Sequence, residues 1–343
     1  LSIFVGVFLV STMVFSQEKC GTYEGSLEDQ IQKYPDFYQV LEKQNKELEV
    51  EHKEALKKLA FHKTEGGKKI IPVVVHNIYN SDGGYLSDLQ IQAAIDALNK
   101  NINGQSDKLL EMYQGQYIKT PDIFAAVRGV ANVEFRLAKL APTCESCPPN
   151  YTTGINRVYS DLTNVPENRD EVKLLSYWSS YKYFNIWTVR SFSQGGLLGY
   201  AQFPYSGLMS TDGVVLLANE MNDPTSTTLT HEAGHWLNLI HIWGDANCGD
   251  DGVKDTPVQK YDNNGASESS PTPAGHPKGN PTNFPYHVGV WENGGEWGCL
   301  ADSLNPAGEM FMNFMSYTTD AFATMFSAGQ IERVNATLEG EID

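Results

Sequence analysis

From residue 69 onward, apolar and polar positions alternate between strand-like and helix-like spacing. Ile70–Ile78 (IIPVVVHNI) is an almost unbroken β-branched run, the pattern of a strand buried on both faces. Ser87–Asn101 places Leu89, Ile91, Ala94, Ile95 and Leu98 at three- and four-residue intervals behind a Ser suited to cap a helix. Val133–Leu140 alternates like a half-buried strand, and Tyr183–Val189 and Gly213–Leu217 read as further strands. Thr228–Leu239 follows as a helix, and Ala328–Glu339 is a helix near the end of the chain. Between those helices, residues 243–309 are rich in Gly, Pro, Asn and Asp, which predicts long loops.

The first 67 residues have a different character. Leu1–Ser16 (LSIFVGVFLVSTMVFS) is apolar, too short to span a bilayer, and ends in a small residue before Gln17. That is the pattern of a secretory signal peptide, so an extracellular protein is expected. Residues 17–67 are rich in Glu, Lys and Gln. They carry a helical stretch over residues 36–62, where Leu41, Leu48, Ala55 and Leu59 form a thin apolar stripe. This stretch is either a surface helix of the main domain or a removable pro-segment.

Composition narrows the partners. The chain has 343 residues, 41% hydrophobic, and a formal net charge of −17. A surface this acidic argues against nucleic acid, and no other stretch is apolar enough for a membrane span. The acidity mildly favours cationic partners, and the oligomeric state is not legible. Export makes the five cysteines candidates for disulfides, and the odd number leaves at least one over.

Residues 231–241 carry the chemistry: His-Glu-Ala-Gly-His-Trp-Leu-Asn-Leu-Ile-His. Residues four apart on an α-helix share a face, so His231 and His235 can place two imidazoles on one zinc ion. Glu232, beside the first ligand, can reach a water that zinc has made acidic, and so act as general base. His241 lies six residues past His235, about 240° round an ideal helix. It can bind only if the helix stops and the chain turns between them. Such a turn calls for positive φ, and Asn238 stands at the turn position as the non-glycine residue that best tolerates it.

On these residues the chain resembles the metzincins, whose consensus is His-Glu-x-x-His-x-x-Gly-x-x-His, with Asn238 here in the glycine position. Asn313–Asp320 (NFMSYTTD) resembles their Met-turn, with Met315 as its methionine and Tyr317 as a phenol near the metal. Within the metzincins the chain is most similar to the pappalysins. The matching stretches are Leu198–Pro204 (LGYAQFP), Gly252–Pro257 (GVKDTP) and Phe326–Arg333 (FSAGQIER). The resemblance spans roughly residues 69–340, with a Pro/Gly-rich insertion near 258–298 as its main departure.

It implies an α+β fold in two subdomains. Residues 68–241 would form a twisted mixed β-sheet with backing and active-site helices, and residues 242–343 an irregular subdomain carrying the Met-turn. It also implies a secreted zinc endopeptidase made as a zymogen, acting on proteins or peptides. In that picture Gly199, Tyr200 and Ala201 form the rim strand that pairs with substrate. Asp320 would line the primed-side pocket and favour Arg or Lys after the scissile bond, unless it simply caps the turn. Val253, Asp255 and Thr256, beside Asp250 and Asp251, would bind calcium unless they form an acidic solvated turn. Cys248 and Cys299 would form a disulfide, and Cys144 and Cys147 a small loop closure. Cys20, the odd thiol, would hold the enzyme latent by taking the water position on zinc. Two alternatives stay open: a zincin with a downstream Glu as third ligand, and a non-catalytic secreted protein that retains zinc.

Overall fold

A computed structural model describes residues 20–22, 27–43, 46, 64–106, 110–113, 116–142, 150–259 except 205 and 247, and 309–339 except 319 and 321. The expected signal peptide, residues 44–45, 47–63 and 260–308, Cys144, Cys147 and Cys299 therefore lie outside the described residues.

A seven-stranded mixed sheet organises the domain. Its strands are β1 (Thr64–Glu65), β2 (Lys68–Tyr79), β3 (Val133–Leu137), β4 (Ile155–Tyr159), β5 (Phe184–Val189), β6 (Gly199–Ala201) and β7 (Val214–Leu217). The long strand β2 is central. One side pairs in parallel with β3 along its first half and β4 along its second, and the other pairs with β5. The parallel order continues to β7. β6 then runs antiparallel to β7 at the edge of the sheet. The β-branched run of β2 is explained by this placement, since Val73, Val74, Val75 and Ile78 are wholly buried.

Helix α1 (Leu27–Lys33) and a helical stretch at 35–43 precede the sheet. Helix α2 (Asp88–Ile102) backs it. Ser87 caps α2 in a capping box with Gln90, and Ile91, Ile95, Leu98 and Ile102 are buried. Ile91, Ile95, Leu98 and Ile102 join Val73, Val75, Phe135 and Ile186 in the largest core cluster, which also takes in Leu229 and Ala233 of the helix that starts at Thr228. That shared core is what fixes this helix against the sheet. A last helix, Ala328–Glu339, matches its expected bounds.

Some expectations need correction. The helix starting at Thr228 ends at Trp236 rather than Leu239, because the turn at Asn238 closes it earlier. The strand from Val133 stops at Leu137. His76 is buried between Asn185 Oδ1 at 3.0 Å and Ser176 Oγ at 2.9 Å. Burial lowers its pKa to about 4, so it is a neutral core histidine.

Candidate active site

Helix α3 (Thr228–Trp236) carries His231, Glu232 and His235, all buried. Its exit is a left-handed turn. Asn238 has φ 73°, its N–H donates to the His235 carbonyl at 2.9 Å, and Leu239 N–H donates back to Gly234 at 2.9 Å. These bonds satisfy carbonyls that a helix end leaves open, and they swing the chain back so that His241 faces the other two imidazoles. His235 Nε2 lies 3.1 Å from both His231 Nε2 and His241 Nε2.

Each ring is held from behind. His231 Nδ1 meets the Phe314 carbonyl at 2.7 Å, His235 Nδ1 the Leu239 carbonyl at 2.7 Å, and His241 Nδ1 the Asp245 carboxylate. Such partners fix the tautomer that turns Nε2 toward a metal. Asp245 was not among the expected site residues, and no spacing rule marks it. Burial, reinforced by His241 and His231, holds the His235 pKa well below its usual value, so this ring favours its neutral, ligating form. Cys20 Sγ joins the group: its atom and the three imidazole nitrogens all lie within 4.8 Å of one another. Three imidazoles and a thiol are a donor set that suits zinc.

The Met-turn lies directly beneath. A Cβ built on Gly234 would fall 2.5 Å from Met315 Sδ, which explains the glycine inside the His-Glu-Ala-Gly-His sequence. Asn313 Oδ1 accepts from Met315 N–H at 2.8 Å, and its amide donates to Gln330 Oε1 at 2.8 Å, tying the turn to the last helix. The Tyr317 ring stands 4.9 Å from His241 and 5.7 Å from His231, centroid to centroid.

Glu232 sits under the rim strand. A Cβ on Gly199 would come within 3.1 Å of Glu232 Cγ, so the strand's glycine makes room for the Glu232 side chain. Glu232 Oε2 accepts from Thr22 Oγ1 at 2.9 Å and lies 3.5 Å from Cys20 Sγ. Burial pushes the Glu232 pKa up to about 8, opposed by those two hydrogen bonds. Burial and the nearby Glu232 carboxylate likewise raise the Cys20 thiol. Thr22 was not foreseen from sequence. Its hydroxyl also accepts from Ala201 N–H at 2.9 Å, bridging rim strand and base.

The remaining expected residues are placed as follows. Asp320 Oδ1 accepts from Thr227 N–H at 2.8 Å and Thr227 Oγ1 at 2.6 Å, at the start of the zinc helix. Asp255 accepts from Ser327 Oγ at 2.6 Å and Gly329 N–H at 2.8 Å, which anchors its loop to the last helix. The Val253 carbonyl accepts from Thr256 Oγ1 at 2.8 Å, and Asp251 Oδ1 from the same hydroxyl at 2.6 Å. Asp251, Asp255 and the Val253 carbonyl are thus engaged in hydrogen bonds within this loop and to the last helix. Cys248 is disulfide-bonded, and its partner lies outside the described residues.

A family profile of M43 peptidases, described as pregnancy-associated plasma protein-A, matches residues 167–339, half of the chain. An extracellular metalloprotease of Trichophyton verrucosum (strain HKI 0517) is 25% identical over 278 residues, covering 77% of this chain and 75% of its own. Among solved structures, Tannerella forsythia mature mirolysin in complex with a cleaved peptide is 32% identical with a TM-score of 0.59, over 79% of this chain and 92% of that one. A Tannerella forsythia promirolysin mutant is 30% identical with a TM-score of 0.60, over 93% of both chains. With its imidazole triad, buried glutamate and Met-turn, the chain belongs to the pregnancy-associated plasma protein-A peptidases, the pappalysin metallopeptidases of the metzincin fold.

Proposed function

We propose that this protein is a secreted zinc endopeptidase held latent by its own N-terminal segment. The observation that carries the reading is the convergence of His231, His235, His241 and Cys20 beside the buried Glu232. When bound, zinc supplies Lewis acidity toward water and toward the scissile carbonyl. Glu232 takes the proton of the attacking water and returns it to the leaving amine. Tyr317 offers its phenol to the oxyanion that develops on the carbonyl. β6 presents an open edge for an extended peptide, which pairs with it antiparallel.

In this structure that edge holds the chain's own residues. Cys20 bridges to Gly199 in parallel, and Gly21 N–H donates to the Gly199 carbonyl at 2.9 Å. A segment lying parallel runs backwards relative to a substrate, so its peptide bonds are presented in the wrong sense for cleavage. Cys20 faces the metal position while Thr22 occupies Glu232, so both halves of the catalytic pair are blocked. The segment is anchored further on by Tyr38, whose phenol donates to Asp170 at 3.0 Å, and by the fully buried Leu41. The similarity to promirolysin over nearly the whole chain supports a zymogen.

Two measurements test this. Cleavage of proteome-derived peptides by the processed protein is expected to stop with a zinc chelator and return with added zinc. The products are expected to begin with Arg or Lys, and Asp320→Ala to erase that preference. A hydrophobic first residue would remove Asp320 from specificity. Cys20→Ala precursor is expected to self-process or cleave peptide at least about tenfold faster than wild type, corresponding to ~1.4 kcal/mol less latency. Equal rates would refute the thiol lock.

A further inference from the structure

Arg169 belongs neither to the zinc helix nor to the Met-turn, yet it reaches the cleft. It opens a 3-10 segment, Arg169–Leu175. Its guanidinium lies over the Tyr200 ring, 4.8 Å from the centroid, and Tyr200 Oη donates to the Arg169 carbonyl at 2.6 Å. The cation is therefore held in place by the side chain of a rim-strand residue. From there Nη2 donates to the Gly21 carbonyl at 3.2 Å, while the Gly21 N–H is taken by Gly199.

The direction of the rim strand says which part of a substrate would lie there. Cys20 pairs with Gly199, and Thr22 meets Ala201 further along the strand. A cleavable peptide runs antiparallel to that strand, so the part of it lying beyond Gly199 toward Phe203 precedes the scissile bond. The place of Gly21 is thus on the unprimed side, next to the metal position. A Cβ built on Gly21 would fall 2.3 Å from Arg169 Nη1 and 2.7 Å from Leu197 Cδ1. A side chain at that place meets the flexible end of the guanidinium directly. A cavity of about 480 Å³ adjoins it, lined among others by Arg169, Asp170, Lys173, Gln202 and Thr211. Lys173 is buried there, 3.0 Å from Asp170, which leaves the Arg169 guanidinium as the cation beside the place of Gly21, with Glu167 also in the wall.

We propose that Arg169 is a substrate-binding residue of the unprimed side. Its guanidinium takes an sp² oxygen of the substrate residue that replaces Gly21: the main-chain carbonyl, or the carboxylate of an Asp or Glu there. The proposal rests on the peptidase reading above. It assigns Arg169 the role of reading the substrate once the pro-segment has left.

The test uses full-length protein processed by limited trypsin, as wild type, Arg169→Ala and Arg169→Lys. Peptides with a fixed primed side extend one or four residues before the scissile bond, the longer ones with Ala or Asp at the two nearest positions. Arg169→Ala is expected to lower kcat/KM on long relative to short peptides by about 10- to 100-fold, the range of a lost hydrogen bond to a charged group. Most of the change should fall on KM, with partial rescue by Lys. An equal loss on Ala and Asp peptides identifies the main-chain carbonyl, and a larger loss on Asp peptides the carboxylate. The same ratios read as Kd by fluorescence anisotropy, on the Glu232→Ala background, decide the matter without turnover. A wild type that cleaves nothing defeats the peptidase reading and leaves this binding comparison decisive. Arg169→Ala equal to wild type on long peptides, or equally impaired on both lengths, overturns the proposal.

Discussion

Glu232→Ala is expected to lower kcat/KM by about 10²- to 10⁴-fold, the range of a lost general acid–base group, with zinc content unchanged. The two halves of that expectation come from separate observations. Glu232 is absent from the group of side chains close enough to share an ion, which comprises Cys20 and the three histidines. Its removal therefore takes no ligand from the metal. Its carboxylate is fully buried, with Oε2 held by Thr22 and Oε1 without a hydrogen-bond partner among the described residues. A carboxylate in that setting is positioned for a proton it has yet to receive. Glu232→Gln keeps the shape and one carbonyl oxygen but cannot take the proton, so it should be nearly as inactive as Ala. Steady-state kinetics with metal analysis on both variants checks this. Activity above a tenth of wild type in Glu232→Gln would assign the base elsewhere and reopen the reading of a protein that merely retains zinc.

Much of the fold is legible where local pattern and burial agree. The β-branched run of β2 announces a central strand, and Ser87 with Gln90 announces the start of α2, because each signal is contained within a few residues. β4 is less legible. Four of its five residues are half-buried and the fifth is exposed, so the alternation that marks a strand is missing. Site legibility divides the same way. His231, His235 and Glu232 stand within five residues, and one helix turn translates their spacing into geometry. Thr22 stands 210 residues from Glu232 and 179 from Ala201, and Arg169 stands 148 from Gly21, so only the folded chain brings these groups together. Glycines form a third class. Gly199 and Gly234 look like ordinary small residues in sequence, yet each leaves the space that a catalytic or supporting side chain fills.

His241→Ala is expected to weaken zinc binding by roughly 10²- to 10³-fold, taking the ~10–16 kcal/mol of a four-ligand zinc site in equal shares. Peptidase activity should fall with it at limiting zinc. Competition with a fluorescent chelator measures the affinity directly. Unchanged affinity would mean that a downstream carboxylate, not His241, completes the site. The structure argues for His241 because its Nε2 stands 3.1 Å from that of His235 and its Nδ1 is secured by Asp245. That position depends on one backbone angle. Asn238 at φ 73° is what lets the chain leave the helix after Trp236 and return within three residues. A β-branched residue there would oppose the left-handed conformation by about 1–2 kcal/mol, whereas glycine would not. Asn238→Val should therefore reproduce part of the His241→Ala defect, a loss of about 5- to 30-fold in zinc affinity, with every ligand still present. Asn238→Gly should retain wild-type binding. If Val and Gly behaved alike, the turn would not be what brings the third histidine to the metal.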